Sequence, residues 1–487
     1  MTLKAKETLE DIQKQFKDLL EYVQNNESHS SYQVELHLFQ QLLLLGKQLL
    51  LLFLLLRSKP LPKAPLSSKG VTMENLTKKP KNYYSVFGKF SFKRHYFNVD
   101  GEGCYPLDGQ LQLPKRCYSD LLREWLDFAI SGESYHEGSQ LLSHILGFSI
   151  SVQVMERLMV DDSVDVEAFY EQHKPKLEEK GSILVVQADG KGIPMVSEQT
   201  EKQKVRLSKG EKLTRKKEAI VTSLYTIEPY ERTPEEVVRA LMHPKDTEKP
   251  NKKRPSPINK ELRGTLQGKE IAIDKLAERA ILQDNHNIQG RVALTDGCEA
   301  LQRQMQKHFP KHILILDIIH ATEYLWEGAN ALLGETNDER NDWVTKHLTT
   351  MLKGKSEKLI SELQECAEKS RLKQGQIKVL KKVIGYYNRN SGYMNYGSYL
   401  ASGYPIGTGV VEGACGHLVK SRLDGASMRW KTKGAEAVMG LRGIRLSEHW
   451  EEYWQFHRQS EAIRLYGSDL TSVNTPLEKS VLHIDLK

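Results

Sequence analysis

The stretch SILVVQADGKG, residues 182–192, decides the fold. Ile183 to Val186 form an unbroken apolar run of strand length, the mark of a strand buried on both faces, and the run closes on Asp189 with a glycine directly behind it. RVALTDG, residues 291–297, repeats the pattern and ends on Asp296 and Gly297. HILILD, residues 312–317, is a further buried strand, closing on Asp317. Between the first two, AIVTSLYTIEP, residues 219–229, alternates as a neighbouring strand until Pro229 stops it. CEALQRQMQKHFP, residues 298–310, is a short amphipathic helix. The expectation is an α/β core of mixed sheet, spanning residues 181–320, with Asp189 and Asp296 at one edge of the sheet.

Downstream, residues 321–400 are helical throughout, with apolar repeats such as WVTKHLTTML and LISELQECAEK, and read as an all-α insertion. GYPIGTGVVEGACGHLVKSRL, residues 403–423, is a glycine-rich turn leading into a helix that carries Glu412, and the core resumes over residues 401–456. At 100° per residue, Gly416, Val419 and Leu423 share the Glu412 side, with Lys420 about 80° away, so a small residue beside the acid admits a phosphate backbone and Lys420 meets it. The tail, residues 457–487, is polar and is assigned no role.

Upstream, residues 83–180 form a DNA-binding candidate. FGKFSFKRHYF and GQLQLP read as strands joined through Asp100-Gly101, with Lys93 and Arg94 among alternating basic and aromatic residues; a structural ribbon and a DNA-contacting one both fit. From Gln140 to Leu158 a helix, the break at Gly147, a cap at Ser149 or Ser151 and a second short helix match a helix-turn-helix, though glycine-joined helix pairs also occur without DNA. Residues 61–82, rich in Pro, Lys and Ser, read as a linker. Residues 1–60 are helical, and LHLFQQLLLLGKQLLLLFLLL, residues 36–56, belongs to a helix from about Gln33 to Arg57. Lys47 and four other polar residues interrupt it, so the leucine face is expected to pack against helices or another subunit, not to cross a membrane.

Composition narrows the partners. The chain has 487 residues, too many for one ordinary core, and 70 Lys and Arg against 63 Asp and Glu give a net charge of +7. Eight basic residues against one acid, Glu211, crowd into residues 202–217, a solvated loop or an anion-binding one. Five scattered cysteines without a C-x-x-C pair point to a reduced, intracellular protein with no structural zinc. The charged N-terminus does not read as a secretory signal.

The strings VVQADGKGIPM, ALTDGCEAL, LDIIHATEYLW and YPIGTGVVEGACGHLVKSRL, with MRWKTKGAEAVMGLR behind them, resemble the transposases of the ISKra type of bacterial insertion sequences, relatives of the Mutator-like DDE group. The resemblance covers roughly residues 87–446. It implies an RNase H-like core interrupted by an α-helical insertion, and a catalytic triad of Asp189, Asp296 and Glu412 holding two Mg²⁺ (or Mn²⁺) ions. Asp317 and His320 match the aspartate-x-x-histidine pair of similar transposases. Asp317 also ends a strand and is the alternative second ligand; Asp296 is favoured because its Asp-Gly turn repeats that of Asp189. His320 is then a hydrogen-bond or phosphate contact, or a structural residue.

By the same likeness Arg422, Arg429, Trp430 and Lys431 lie close to the transposon end, with Trp430 either stacking on an exposed base or buried in the core. The expected function is metal-dependent cleavage and transfer of DNA strands by a homo-oligomer in the bacterial cytoplasm, associated with the nucleoid. Its partners are transposon-end and target DNA, and no membrane. The alternatives are an inactive protein that only binds element ends, and an RNase H-like nuclease or resolvase.

Overall fold

The computed structural model describes residues 3–176, 181–196, 216–242, 253–369, 372–425 and 428–467. It is a mixed α/β structure that divides into two compact units, residues 3–165 with 451–467, and residues 166–450.

The first unit opens with α1 (Leu3–Asn25) and α2 (Ser31–Arg57), which pack on one another. Ser30 caps α2 through a reciprocal capping box with Gln33, which starts the helix two residues before the expected position. Of the leucine face only Leu54 and Leu55 are buried, while Phe39, Leu42, Leu49 and Phe53 stay exposed. Among the described residues this is the one helix long and apolar enough to cross a membrane. A long hairpin follows, β1 (Glu74–Ser85) with β2 (Gly88–Val99), and β3 (Glu102–Cys104) pairs antiparallel to β2.

Two expectations are corrected here. Residues 74–82, read as the end of a linker, are strand: ENLTKKPKN has no apolar period, and the ladder to β2 holds it extended. Residues 109–114, read as a strand, are not one. Pro106 at the first turn starts α3 (Pro106–Gln110), and buried Asp108 anchors it to Arg94. Then come α4 (Asp120–Gly132), α5 (Tyr135–Leu146) and α6 (Val152–Asp162). Gly147 closes α5 in the left-handed region at φ 73° and Ser151 precedes α6, so the helix, break and helix lie where the glycine and serine place them.

The second unit runs through α7 (Val166–Gln172), β4 (Ile183–Pro194), β5 (Lys216–Ile227), α8 (Pro234–Met242), β6 (Ile258–Thr265), α9 (Lys269–Gln283), β7 (Gly290–Thr295), α10 (Glu299–His308) and β8 (Ile313–Leu316). Its sheet has the order β6-β5-β4-β7-β8. β4, β5 and β6 pair antiparallel, and β7 and β8 lie parallel to β4. β6 has no counterpart in the sequence reading: INKELRGT shows no apolar run, and its inward positions include Glu261, which pairs with Arg279 at 2.6 Å.

Both faces of the sheet are covered. Leu184 and Val186 pack with Ile273 and Leu276 of α9 and with Leu301 and Met305 of α10. Ile183 and Val185, one pleat away, face the inserted helices α11 (Ile318–Leu333), α12 (Glu339–Leu352), α13 (Ser356–Lys369), α14 (Gln374–Asn390) and α15 (Tyr396–Ala401). The chain then forms α16 (Gly409–Ala414), a π-helical turn over Cys415–Lys420, α17 (Ser421–Leu423) and α18 (Thr432–Leu446). It ends in α19 (Trp450–Tyr466), which runs on into the stretch read from residue 457 as a polar tail; from Glu451 onward this helix belongs to the first unit.

Candidate active site

The site is built where the parallel pairing of three neighbouring strands, β4, β7 and β8, comes to an end. β4 pairs with β7 only as far as Gln187 opposite Leu294, but continues along β5 to Pro194. Asp189 is therefore not at the end of its strand; it stands just beyond the point where β4 has lost its parallel neighbour and one side of its backbone is open. Asp296 directly follows β7, and Asp317 directly follows β8. This is the carboxyl edge of the sheet, where open α/β sheets present their binding crevices.

Each carboxylate is held differently. Asp189 accepts from its neighbour Gly190 N–H at 2.6 Å and from the Cys415 thiol at 3.3 Å. Burial, and then Asp189 itself, push the Cys415 thiol up, so it stays a neutral donor. Asp296 accepts from Cys298 N–H at 2.9 Å, a local turn that leaves its second oxygen open. Its turn is braced from α14: Tyr386 Oη donates to the Asp296 carbonyl at 3.1 Å, and a Cβ on Gly297, at φ 88°, would come within 2.8 Å of that hydroxyl. Glu412 accepts from Thr408 Oγ1 at 2.8 Å and lies 3.8 Å from His320 Nδ1, with its side chain 37% exposed.

Asp317 is fully buried, with both oxygens occupied. One accepts Thr408 N–H at 2.7 Å, and the other accepts His320 N–H at 2.9 Å and His320 Nδ1 at 2.7 Å. The hydrogen bond to Asp317 pushes His320 up to about 9 against the opposing effect of burial, and so favours the imidazolium. Asp317, His320 and Glu412 bring ligand atoms within 4.8 Å of one another, but Asp317 has already spent its oxygens on the fold.

Asp189, Asp296 and Glu412 have no arginine or lysine partner among the described residues. Desolvation raises the Asp296 carboxyl above its ordinary range, and the charge of Asp189 raises it further. Repelling, under-neutralised carboxylate oxygens with free coordination positions suit a hard divalent cation.

Residues 73–236 match the model of an uncharacterised protein family, UPF0236. No curated protein matches the chain. The UPF0236 stretch includes the β1–β2 hairpin, helices α4 to α6 and Asp189 on β4, and stops before Asp296, Asp317 and Glu412.

Of the residues expected to meet DNA, Lys93, Lys420 and Arg429 are exposed. Three others are turned inward. Arg94 is buried against Asp108 at 2.6 Å and over the Tyr105 ring at 3.7 Å. Arg422 is 1% exposed and lies 5.1 Å from the Trp430 ring. Trp430, 8% exposed, donates to the Leu423 carbonyl at 3.0 Å, while its backbone bridges Met195; no face of it is open to a base. The 100° projection from Glu412 also fails, since the π-helical turn shifts the register and both Val419 and Leu423 are buried. Of the basic run, residues 202–215 lie outside the described residues, and Lys216 pairs with Asp424 at 2.7 Å.

Lys191 escaped the sequence reading although period-2 spacing puts it on the Asp189 face of β4, close enough to Cys415 to act on its thiol. Cys415 and Tyr386 had no local signal at all. Beside Asp296 and His320 a cleft of about 430 Å³ opens, lined also by Glu299, Glu323, Tyr324, Tyr386 and Arg389.

Proposed function

We propose that the chain is a DNA transposase of the DDE type, cleaving and joining DNA strands at a metal centre held by Asp189, Asp296 and Glu412. The observation that carries this reading is the set of three carboxylates, with no arginine or lysine partner among the described residues, at the carboxyl edge of a sheet ordered β6-β5-β4-β7-β8. That order, antiparallel on one side of β4 and parallel on the other, supports the RNase H-like architecture that the resemblance to ISKra-type transposases implies.

Two Mg²⁺ or Mn²⁺ ions bound there would supply activation of the attacking water or 3′-hydroxyl and stabilise charge on the leaving oxygen. The chain's own residues do the rest. Asp189 stands on the strand shared by both halves of the sheet, and by the resemblance it is the acid that would serve both ions. Asp317 is a positioning residue: it fixes the start of α11 and, through Thr408, the segment that presents Glu412. Lys191, beside Asp189, and exposed Lys420 are the cations that meet the phosphate. The exposed apolar face of α2 supports a homo-oligomer that pairs two DNA ends.

The test is strand cleavage of element-end DNA by the purified protein in Mg²⁺. Asp189→Asn, Asp296→Asn and Glu412→Gln should each abolish cleavage and leave DNA binding in place. Robust cleavage by any of the three removes that residue from the triad, and an active Asp296→Asn beside an inactive Asp317→Asn reverses the choice of second ligand.

A further inference from the structure

The register of the β1–β2 hairpin sorts its residues onto two faces. Tyr83 opposite Phe90, Lys81 opposite Phe92 and Lys79 opposite Arg94 turn inward, where Tyr83, Phe90 and Phe92 pack with Leu54, Leu55 and Leu107. The other face carries Tyr84 opposite Lys89, Asn82 opposite Ser91, Pro80 opposite Lys93 and Lys78 opposite His95. All of these except Tyr84 and His95 are exposed, and none of the eight is acidic.

The three lysines have no carboxylate partner among the described residues. Lys89 lies over the Tyr84 ring at 5.1 Å, and Lys78 donates to the Ser58 carbonyl at 3.2 Å, which steadies the ammonium group without cancelling its charge. Nearby, desolvation and then the charge of Lys78 hold His95 below its ordinary range. From the Lys89 row to the Lys78 row is six residues, roughly 20 Å at ~3.4 Å per residue.

We propose that this outward face is a reader of duplex B-DNA, with the ribbon seated in the major groove, Lys78, Lys89 and Lys93 on phosphates, and Asn82 and Ser91 at base edges. A two-stranded ribbon fits the major groove, which offers each base pair a distinct donor and acceptor pattern. Asn82 and Ser91 face each other at mid-ribbon, the two exposed side chains there that both donate and accept. The assignment rests on DNA being the substrate, adds a recognition surface separate from the carboxylate site, and transfers the role expected of Arg94 to its outward neighbours.

The experiment uses the full-length chain and a random-sequence DNA duplex of 20 base pairs, with affinity followed against salt. Removing one lysine–phosphate pairing lowers the slope of log K against log salt by about 0.9, so the triple variant Lys78→Gln, Lys89→Gln, Lys93→Gln should be shallower by about 2.7. These side chains are exposed, and unchanged thermal melting verifies that the variant folds. A wild-type slope in the folded triple variant overturns the proposal. So does equal affinity for an RNA duplex of the same length, whose deep, narrow major groove excludes a ribbon.

Selection from a randomised duplex library should yield a sequence preference that Asn82→Ala with Ser91→Ala erases without altering the salt slope; an unchanged preference removes the base-reading role. If the triple variant shows the shallower slope in a protein that cuts no DNA, the ribbon stands and the transposase reading falls. If the protein cuts DNA and the slope is unchanged, the ribbon alone falls.

Discussion

Two regions of this molecule gather carboxylates, and they differ in the cations placed among them. In the first unit Arg123 lies among Asp120, Asp162 and Glu461, at 3.0 Å from Asp120 and 2.6 Å from Glu461, and also donates to Asp162. His457 and Arg464 both reach Asp165, at 2.7 and 2.6 Å. Burial works against the charged form of Asp165, but His457 and Arg464 prevail and hold it at about 2. At the edge of the second unit's sheet, Asp189, Asp296 and Glu412 have thiol, hydroxyl and backbone donors but no arginine or lysine among the described residues; burial shifts Asp296 upward there, as it shifts Asp120 to about 6 in the first unit. Arginines placed among acids tie those acids to the fold; acids left without one are where the proposed metal ions would supply the opposing charge.

The largest expected effect separates the two regions outright. Asp189→Asn, Asp296→Asn or Glu412→Gln should reduce strand cleavage by on the order of 10³-fold or more, since metal stabilisation of the transition state is worth several kcal/mol. Their melting temperatures should hold or rise, because a repelling charge has been removed. The converse holds for the Arg123 cluster: Arg123→Ala leaves buried acids unpaired and should cost about 3–5 kcal/mol in urea denaturation. A stable Arg123→Ala protein, or a markedly destabilised Asp189→Asn protein, would break the comparison.

Divalent ions sharpen it. At 100 times the dissociation constant, Mn²⁺ should stabilise the folded chain by about 2.7 kcal/mol, read as a thermal shift that EDTA reverses and Asp189→Asn abolishes. Asp317→Asn should lower cleavage by about 10–100-fold, as loss of a supporting partner does, while keeping the Mn²⁺ midpoint. A midpoint displaced as far as in Asp296→Asn would make Asp317 a ligand.

The smallest effect depends on pH. Hydrogen bonds to Asp162 and Asp165 overcome burial and push His457 up to about 9, above the roughly 6.5 expected of the unfolded chain. Its contribution to stability is therefore complete below about pH 6.5 and is lost as pH rises through 9. The stability gap between wild type and His457→Gln should narrow from pH 6 to pH 9.5; a gap that widens with pH would mean the imidazole is buried neutral.

Much of the sheet was legible because a strand buried on both faces leaves a run such as ILVV or ILIL in the chain. β6 was not, since Glu261 sits inside it and is tolerated only through Arg279 on α9. Residues 109–114 alternate like a strand yet start from a proline-led helix, anchored by Asp108 to an arginine on another element. Arg94, Arg422 and Trp430 looked like a DNA surface because basic and aromatic residues read alike on either side of a packed layer. Only the register of β2 and the bridge from Met195 to Trp430 turn them inward.

By itself the sequence determined which segments become the central strands and that an acid follows β7, β8 and the apolar run that opens β4, because apolar periodicity and Asp-Gly turns are local properties. Tertiary structure alone decided which of those acids remain available. Asp317 is taken by His320 three residues on and by Thr408, 91 residues away, whereas Asp296, ending a strand in the same manner, accepts from the local N–H of Cys298. Charge compensation is settled by whatever the folded chain brings within a few ångströms, and at this edge two of those partners, Thr408 and Cys415, come from the far side of the helical insertion.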